Sequence, residues 1–145
     1  MEVLRVIPML CLVALLGCGP SGPTMVPVSG VVTLDGVPVE GANVIFTSME
    51  GGKMADGRTD AQGKFTLTTQ DQESTPGVLE GEHFVTVDGS RVVNAKVGED
   101  GTSVDATSPK IEWFLPQKYV RRDTSGLTQK VAKGMPPIEL KLTTK

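Results

Sequence analysis

The chain has 145 residues, of which 39% are hydrophobic, 21% charged and 4% aromatic, and its formal net charge is −3. This length suits one domain plus a targeting segment, and the charge gives no whole-chain argument for nucleic-acid binding. Two cysteines and one histidine exclude a disulfide-rich scaffold, a four-cysteine zinc site and a two-histidine metal site within one chain. The 17 glycines and 10 prolines predict many turns and short strands.

An apolar segment near the N-terminus predicts export. It covers residues 6–16 and directly follows Arg5. A helix needs about 20 apolar residues to cross a bilayer, so this run is too short to span one. Its length and the preceding positive charge match the hydrophobic part of a secretory signal peptide. We therefore expect residues 1–17 to be a cleaved signal.

The apolar run ends in Leu15-Leu16-Gly17-Cys18, which resembles the lipobox of bacterial lipoproteins. The resemblance implies that Cys18 carries a diacylglyceryl group and begins the mature chain. Stable membrane anchoring requires two or more acyl chains, which this modification supplies. In that family an aspartate after the cysteine favours the inner membrane; Gly19 stands there, which implies a lipid-anchored protein of the outer membrane. The alternative is an ordinary cleaved signal with an incidental cysteine.

Residues 18–25 have the composition of a flexible tether, and the folded domain is expected over residues 26–145. In this domain, apolar and polar side chains alternate in short runs, which predicts half-buried strands. The predicted inward positions are Val26, Val28, Val32, Leu34, Ala42, Val44, Phe46, Phe65, Leu67, His83, Val85, Val87, Ile138, Leu140 and Leu142. Residues 50–57, with three glycines and no period, are expected to form a loop, as are the polar residues 70–77.

The sequence predicts two turns. Asp35-Gly36 is typical of a type I′ hairpin, which needs positive φ at both central residues. Asp60 can accept a hydrogen bond from the backbone two residues on, and Gly63 supplies a left-handed residue. No apolar stripe has helical spacing. The short strands and turns together predict an all-β fold, an antiparallel sandwich or barrel.

A pattern of glycines, turns and strand residues resembles the carboxypeptidase regulatory-like, or transthyretin-like, domain. It reads Gly30-x-Val32-x-x-Asp35-Gly36-x-Pro38-x-x-Gly41-Ala42-x-Val44-x-Phe46, then Thr59-Asp60-x-x-Gly63-x-Phe65, then Gly81-Glu82-His83-Phe84-Val85-Thr86-Val87. His83 stands where that family usually has an aromatic residue. The resemblance implies an antiparallel Greek-key β-sandwich of about seven strands. Such domains are usually non-catalytic accessory or binding modules.

Few residues are candidates for catalysis. Cys11 leaves with the signal and Cys18 is acylated, so the mature domain keeps no thiol nucleophile. Hydroxyisourate hydrolase, the enzyme on the transthyretin fold, depends on more than one histidine and a C-terminal Tyr-Arg-Gly-Ser motif, and this sequence has neither. His83 shares strand parity with Val85 and Val87, so we expect a packed imidazole and not the base of a Ser-His-Asp triad. We expect no catalytic residue and no cofactor.

One acidic loop is the candidate for metal binding. Glu99, Asp100 and Asp105 lie among turn-forming residues, and calcium takes hard oxygen ligands in flexible loops. Their spacing does not match the EF-hand loop. The alternative is an ordinary solvated loop.

Charge and aromatic residues suggest a partner contact in the last third of the chain. Residues 18–109 carry thirteen acidic and five basic side chains, whereas residues 110–145 carry eight basic and three acidic. The candidate contacts are Trp113, Phe114, Tyr119, Arg121 and Arg122, because an exposed aromatic pair beside cations can anchor a protein or a sugar ring. The alternative is a charged edge that prevents aggregation.

The segment 88–114 is long for a structureless loop, and within it Val92, Val93 and Val97 are predicted to form a short strand. We therefore look for binding function there. The leading hypothesis is a non-catalytic lipoprotein of the cell envelope with a structural or binding role. The second is a substrate- or glycan-binding accessory of an outer-membrane transporter or envelope complex, and the third is a carboxylate-based hydrolase.

Overall fold

The computed structural model describes residues 24–93 and 110–145, and in this part of the chain the fold is an all-β sandwich, as predicted. The strands are β1 (Met25–Val26), β2 (Ser29–Leu34), β3 (Val37–Pro38), β4 (Asn43–Ser48), β5 (Met54–Arg58), β6 (Lys64–Thr66), β7 (Thr68–Thr69), β8 (Val78–Leu79), β9 (Gly81–Asp88), β10 (Ser90–Val93), β11 (Lys110–Trp113), β12 (Leu127–Val131) and β13 (Ile138–Leu142). A 3₁₀ turn, Gln117–Tyr119, and one helical turn, α1 (Arg122–Ser125), separate β11 from β12. The predicted signal, the lipidation site Cys18 and the acidic loop lie outside the described residues, and Met25, the last residue of the predicted tether, already belongs to β1.

Two sheets enclose the core. The larger has the strand order β12-β9-β4-β5-β7, and the smaller has the order β13-β2-β3, with β6 also pairing with β2. Within the described ranges, nineteen buried apolar residues form the core. One pairing departs from the antiparallel prediction, because β13 runs parallel to β2, with Ile138 opposite Gly30 and Leu142 opposite Leu34. Strand alternation does not determine strand direction, so the sequence pattern could not predict this parallel pairing.

Strand alternation predicted most of the core. In β9 the side chains of His83, Val85 and Val87 are at most 1% exposed. In β13 the buried and exposed positions alternate strictly from Ile138 to Leu142. The predicted inward positions are buried in these strands because two sheets face each other across a common core.

The predicted turns form as expected. Asp35 and Gly36 have φ values of 49° and 86°, and they join β2 to β3. The Asp60 carboxylate accepts hydrogen bonds from the backbone N–H groups of Gln62 and Lys64, both at 2.9 Å, and Gly63 has a φ of 72°. These local hydrogen bonds fix the ends of the strands that they connect.

The prediction of a loop over residues 50–57 is wrong in its second half, where β5 pairs with β4. The strand has no alternating apolar pattern because Ala55 is its one buried residue. Gly57 reflects close packing and not a turn, since a Cβ at this position would lie 2.1 Å from the backbone oxygen of Thr66. A glycine that permits close approach of two strands looks, in sequence, like a loop residue.

The strand pairings define two ends of the sandwich. At one end the backbone N–H of Glu80 donates to the Thr24 oxygen at 3.1 Å, so the first described residue lies there. At the other end Asn43 lies opposite Asp88, the last residue of β9. We call these ends the N-terminal pole and the ribbon pole, because β10 and β11 leave the body at the second.

Candidate interaction surface

A two-stranded ribbon formed by Ser90–Val93 and Lys110–Trp113 begins at Gly89. The Gly89 carbonyl accepts hydrogen bonds from the backbone N–H groups of Phe114, at 2.8 Å, and Leu115, at 3.3 Å. A Cβ on Gly89 would lie 2.3 Å from Cγ of Leu115. Glycine here therefore lets Leu115 bury itself, to 4% exposure, directly beneath the ribbon.

One face of the ribbon is apolar and exposed. Ser90 lies opposite Trp113, and Val92 lies opposite Ile111, and cross-strand partners and alternate residues share a face. Val92 is 62% exposed, Ile111 56% and Trp113 39%. We call these three side chains the apolar face of the ribbon. Exposed apolar clusters of this kind are typical of interaction sites.

The opposite face of the ribbon is charged. Nε and Nη2 of Arg91 donate to Oε2 of its cross-strand partner Glu112 at 2.8 and 2.7 Å. Both side chains are about half exposed or more, so the ion pair contributes less than about 1 kcal/mol to stability. Lys110 lies on the same face, opposite Val93. The ribbon is therefore amphipathic.

The two adjacent aromatic residues of the sequence prediction have different surroundings. Trp113 is on the apolar face, whereas Phe114 is half-buried and packs against the core. Successive residues of an extended chain point to opposite sides. Of the two, Trp113 is thus the more exposed aromatic side chain, and it lies on the same face as Val92 and Ile111.

Tyr119 holds the C-terminal segment in place. Its side chain is 6% exposed, and Oη accepts a hydrogen bond from the Thr143 N–H at 2.9 Å. The side chain is therefore part of the body, and its ring offers little surface to a partner. Its prediction as a contact residue came from its position in the sequence next to basic residues.

The two arginines of the predicted contact have different partners. Arg121 donates to Asp123 at 3.0 and 3.1 Å, and this pair lowers the pKa of Asp123. Arg122 is exposed at the start of α1, and no ion pair in the described part of the chain includes it. The basic residues of the C-terminal third are spread along the molecule, since Lys133 is near Thr24 at the N-terminal pole. They are therefore not gathered on one surface.

His83 is a core residue. It is 1% exposed, its ring centre lies 6.0 Å from that of Phe46, and Nδ1 is 3.1 Å from the Gly81 carbonyl oxygen. Burial lowers its pKa, although the Gly81 carbonyl and Glu82 act in the opposite direction. The packed imidazole predicted from strand parity is confirmed.

A cleft of about 410 Å³ lies at the base of the ribbon. Its lining residues are Glu40, Gly41, Arg58, Arg91 and Phe114. Gly41 adopts a φ of 76°, and a Cβ on it would lie 3.4 Å from Nη2 of Arg58. The cleft thus combines the Glu40 carboxylate, the guanidinium groups of Arg58 and Arg91, the second of which is paired with Glu112, and one aromatic side chain. Such a mixed lining suits a sugar-like group.

Metal binding has no support within residues 24–93 and 110–145, where no three His, Cys, Asp or Glu side chains are close enough to share an ion. The calcium candidates Glu99, Asp100 and Asp105 are outside these ranges. In the same ranges, no helix has the length and apolar character needed to cross a membrane.

Comparison of the chain with protein-family models, with curated proteins and with solved structures gives no match.

Proposed function

We propose that this chain is a non-catalytic lipoprotein of the cell envelope that binds another envelope protein through the ribbon. The observation that carries the proposal is the apolar face formed by Val92, Ile111 and Trp113, whose side chains are 62%, 56% and 39% exposed. A soluble domain gains no stability from apolar side chains in water, but a partner that covers them gains the free energy of their burial. Aromatic residues such as Trp113 are frequent energetic centres of protein interfaces.

The proposed anchor at Cys18 is consistent with this geometry. Five residues lie between Cys18 and Thr24, and a fully extended chain from Cys18 to Thr24 spans at most about 22 Å. The N-terminal pole would therefore stay near the membrane surface. The ribbon is at the opposite pole and would project away from the membrane, where a partner can reach it.

The family resemblance gains support from the roles of its motif residues. Asp35-Gly36 forms the type of turn that the motif requires. A Cβ on Gly30 would lie 2.3 Å from the Ile138 oxygen, so this glycine permits the parallel pairing with β13. We propose membership of the carboxypeptidase regulatory-like group on this basis.

A second candidate function is a substrate- or glycan-binding accessory of an outer-membrane transporter. The cleft between Arg58, Arg91 and Phe114 favours it, because guanidinium groups bind carboxylates and aromatic faces stack on sugar rings. The two candidate functions predict different effects of a substitution in the cleft. Arg58→Ala would abolish glycan or carboxylate binding but leave protein capture through the apolar face intact.

The test of the binding proposal is photo-crosslinking in intact cells with the full chain. A photoreactive amino acid at Ser90 lies on the same face as the ribbon's apolar residues, directly opposite Trp113. We expect a specific crosslinked protein that disappears when Ile111 is changed to Lys. The matched control is Met54→Lys, an exposed apolar residue, 42% accessible, on the body. A crosslink that survives Ile111→Lys would contradict the proposal.

The anchor is tested separately. We expect the wild-type chain to incorporate labelled palmitate and Cys18→Ser to abolish the labelling and accumulate unprocessed precursor. Cys11→Ser is the matched control, since Cys11 lies inside the predicted signal. Wild-type protein that takes up no palmitate and is released from the cell would contradict the lipoprotein hypothesis.

A further inference from the structure

The outer edge of β11 is open and apolar on one side. In the part of the chain that the structure describes, β11 pairs with β10 and with no other strand. The backbone N–H of Phe114 donates to the Gly89 carbonyl. Because alternate residues of an antiparallel strand bond to the same neighbouring strand, the backbone groups of Glu112 also bond to β10. The N–H and C=O groups of Ile111 and Trp113 therefore point to the open edge. Such an edge is a template for another strand.

We propose that this edge pairs with the same edge of a second copy of the chain. The pairing is antiparallel and two-fold symmetric, with Ile111 of each copy opposite Ile111 of the other. It joins two ribbons into a four-stranded sheet. The inference goes beyond the proposed binding of another envelope protein, because it concerns the open edge of β11, and it does not depend on the anchor at Cys18.

Charge selects this register. With Ile111 on the two-fold axis, Lys110 of each copy lies opposite Glu112 of the other copy, on the charged face of the sheet. Each Glu112 then has a cation on either side, Arg91 of its own chain and Lys110 of the second copy. The neighbouring register, centred on Glu112, would place two glutamates directly opposite each other, which is unfavourable.

The edge of β10 does not offer the same complementarity. A two-fold pairing centred on Val92 would place Arg91 opposite Val93 of the second copy, which gives no ion pair. Natural edge strands commonly carry lysines that repel a second copy. On β11 the lysine is accompanied by a glutamate two residues away, so the edge attracts its own copy.

The pairing would also stabilise the short ribbon. A two-stranded hairpin alone is marginal in water, whereas three or more strands with an apolar face are stable units. The four-stranded sheet would unite the apolar faces of both copies into one surface. A stable interface buries at least about 1,000 Å² in total, which the facing residues 110–112 of the two copies do not supply. We therefore expect an exchanging dimer that is best detected in place.

Cysteine crosslinking of the full chain in its own membranes tests the proposal. Residues paired by hydrogen bonds across an antiparallel pair have Cα atoms about 5.5 Å apart, so Ile111→Cys should form a dimer with a short bismaleimide. Val92→Cys is the matched control. It is equally exposed but lies three strand spacings, about 14 Å, from its copy. We expect the dimer yield of Ile111→Cys to be severalfold above that of Val92→Cys. It should also exceed that of the parent chain, which measures any crosslinking through Cys11 and Cys18.

Charge exchange provides the second arm. Lys110→Glu and Glu112→Lys, each added to Ile111→Cys, should lower the dimer yield because like charges then face each other. Co-expression of these two variants should restore the yield, since the mixed dimer regains two pairs of opposite charge. Recovery of the dimer yield in the mixture would show that the single variants are folded and that charge repulsion lowers their yield.

Three results would overturn the proposal: an Ile111→Cys dimer no more abundant than that of Val92→Cys, no recovery in the mixture, or crosslinks from residue 111 to other proteins only. The last would leave the proposed binding function standing. A dimer without any other captured protein would support the pairing of two copies and contradict the proposed binding of another protein.

Discussion

The body of the sandwich and the ribbon are built from similar strands with opposite outcomes. In β9 the apolar residues of one face, Val85 and Val87, are fully buried, because the smaller sheet covers them. In the ribbon the corresponding residues, Val92 and Ile111, are more than half exposed, because no second layer from residues 24–93 or 110–145 lies over them. Alternation thus creates an amphipathic strand. Whether its apolar face is buried in the core or exposed for binding depends on whether another part of the fold packs on it.

The largest effect should come from the body. We expect Phe46→Ala to lower the free energy of unfolding by about 3–5 kcal/mol, since a fully buried aromatic side chain leaves a cavity. Urea unfolding measures the loss. Phe84→Ala is the control, because Phe84 is only half-buried on the other face of β9. Equal losses for the two variants would contradict the assignment of faces.

The junction between the two regions should be nearly as sensitive. Gly89→Ala introduces a Cβ that meets Leu115 at 2.3 Å. Overpacking of this kind costs about 1–3 kcal/mol, and we expect the thermal midpoint to fall accordingly. Gly51→Ala is the control, because a Cβ on Gly51 meets nothing within 4 Å. An unchanged midpoint for Gly89→Ala would mean that Leu115 does not hold the ribbon to the body.

His83 should make the stability of the body depend on pH. Burial lowers its pKa from the ordinary 6.5, so the unfolded chain binds the proton more readily than the folded chain. The free energy of unfolding should therefore be level above about pH 6.5 and decrease below it, until the pH reaches the lowered pKa. The difference between wild type and His83→Phe isolates this contribution, because phenylalanine does not titrate. A parallel pH dependence of the two proteins would contradict the neutral, buried imidazole.

The sequence predicted those parts of the fold that depend on local pattern. Strand alternation identified the buried faces of β9 and β13, and Asp35-Gly36 identified its turn. It missed β5, where Gly57 serves close packing and Ala55 alone is buried. It also missed the parallel direction of β13, because neither strand direction nor contact between distant segments has a signature in local periodicity.

The candidate surface was predicted in part. The sequence identified Trp113 and placed a short strand at Val92 and Val93, which is β10. It did not identify Ile111, because the significance of Ile111 arises from its pairing with Val92 across a ribbon of residues far apart in sequence. It grouped Phe114 and Tyr119 with Trp113 on proximity alone, whereas their exposure depends on which way each side chain turns. The predictions for Cys18 and for the acidic loop at Glu99 stay predictions.

The smallest effect on stability, and the largest on binding, should come from the apolar face of the ribbon. Changing Val92, Ile111 and Trp113 together to Thr keeps strand-forming residues but removes most of the exposed apolar surface. Exposed substitutions change stability by about 0.5 kcal/mol or less each, so the urea unfolding midpoint should stay near that of the wild type.

The yield of crosslinked envelope partner per folded molecule of this triple variant tests the central claim most directly. The probe is again the photoreactive amino acid at Ser90, and the yield is compared with that of the wild-type chain at equal folded concentration. We predict that the yield falls to the background measured without light. A yield equal to that of the wild type would contradict the account, because the ribbon's apolar face would then have no part in binding.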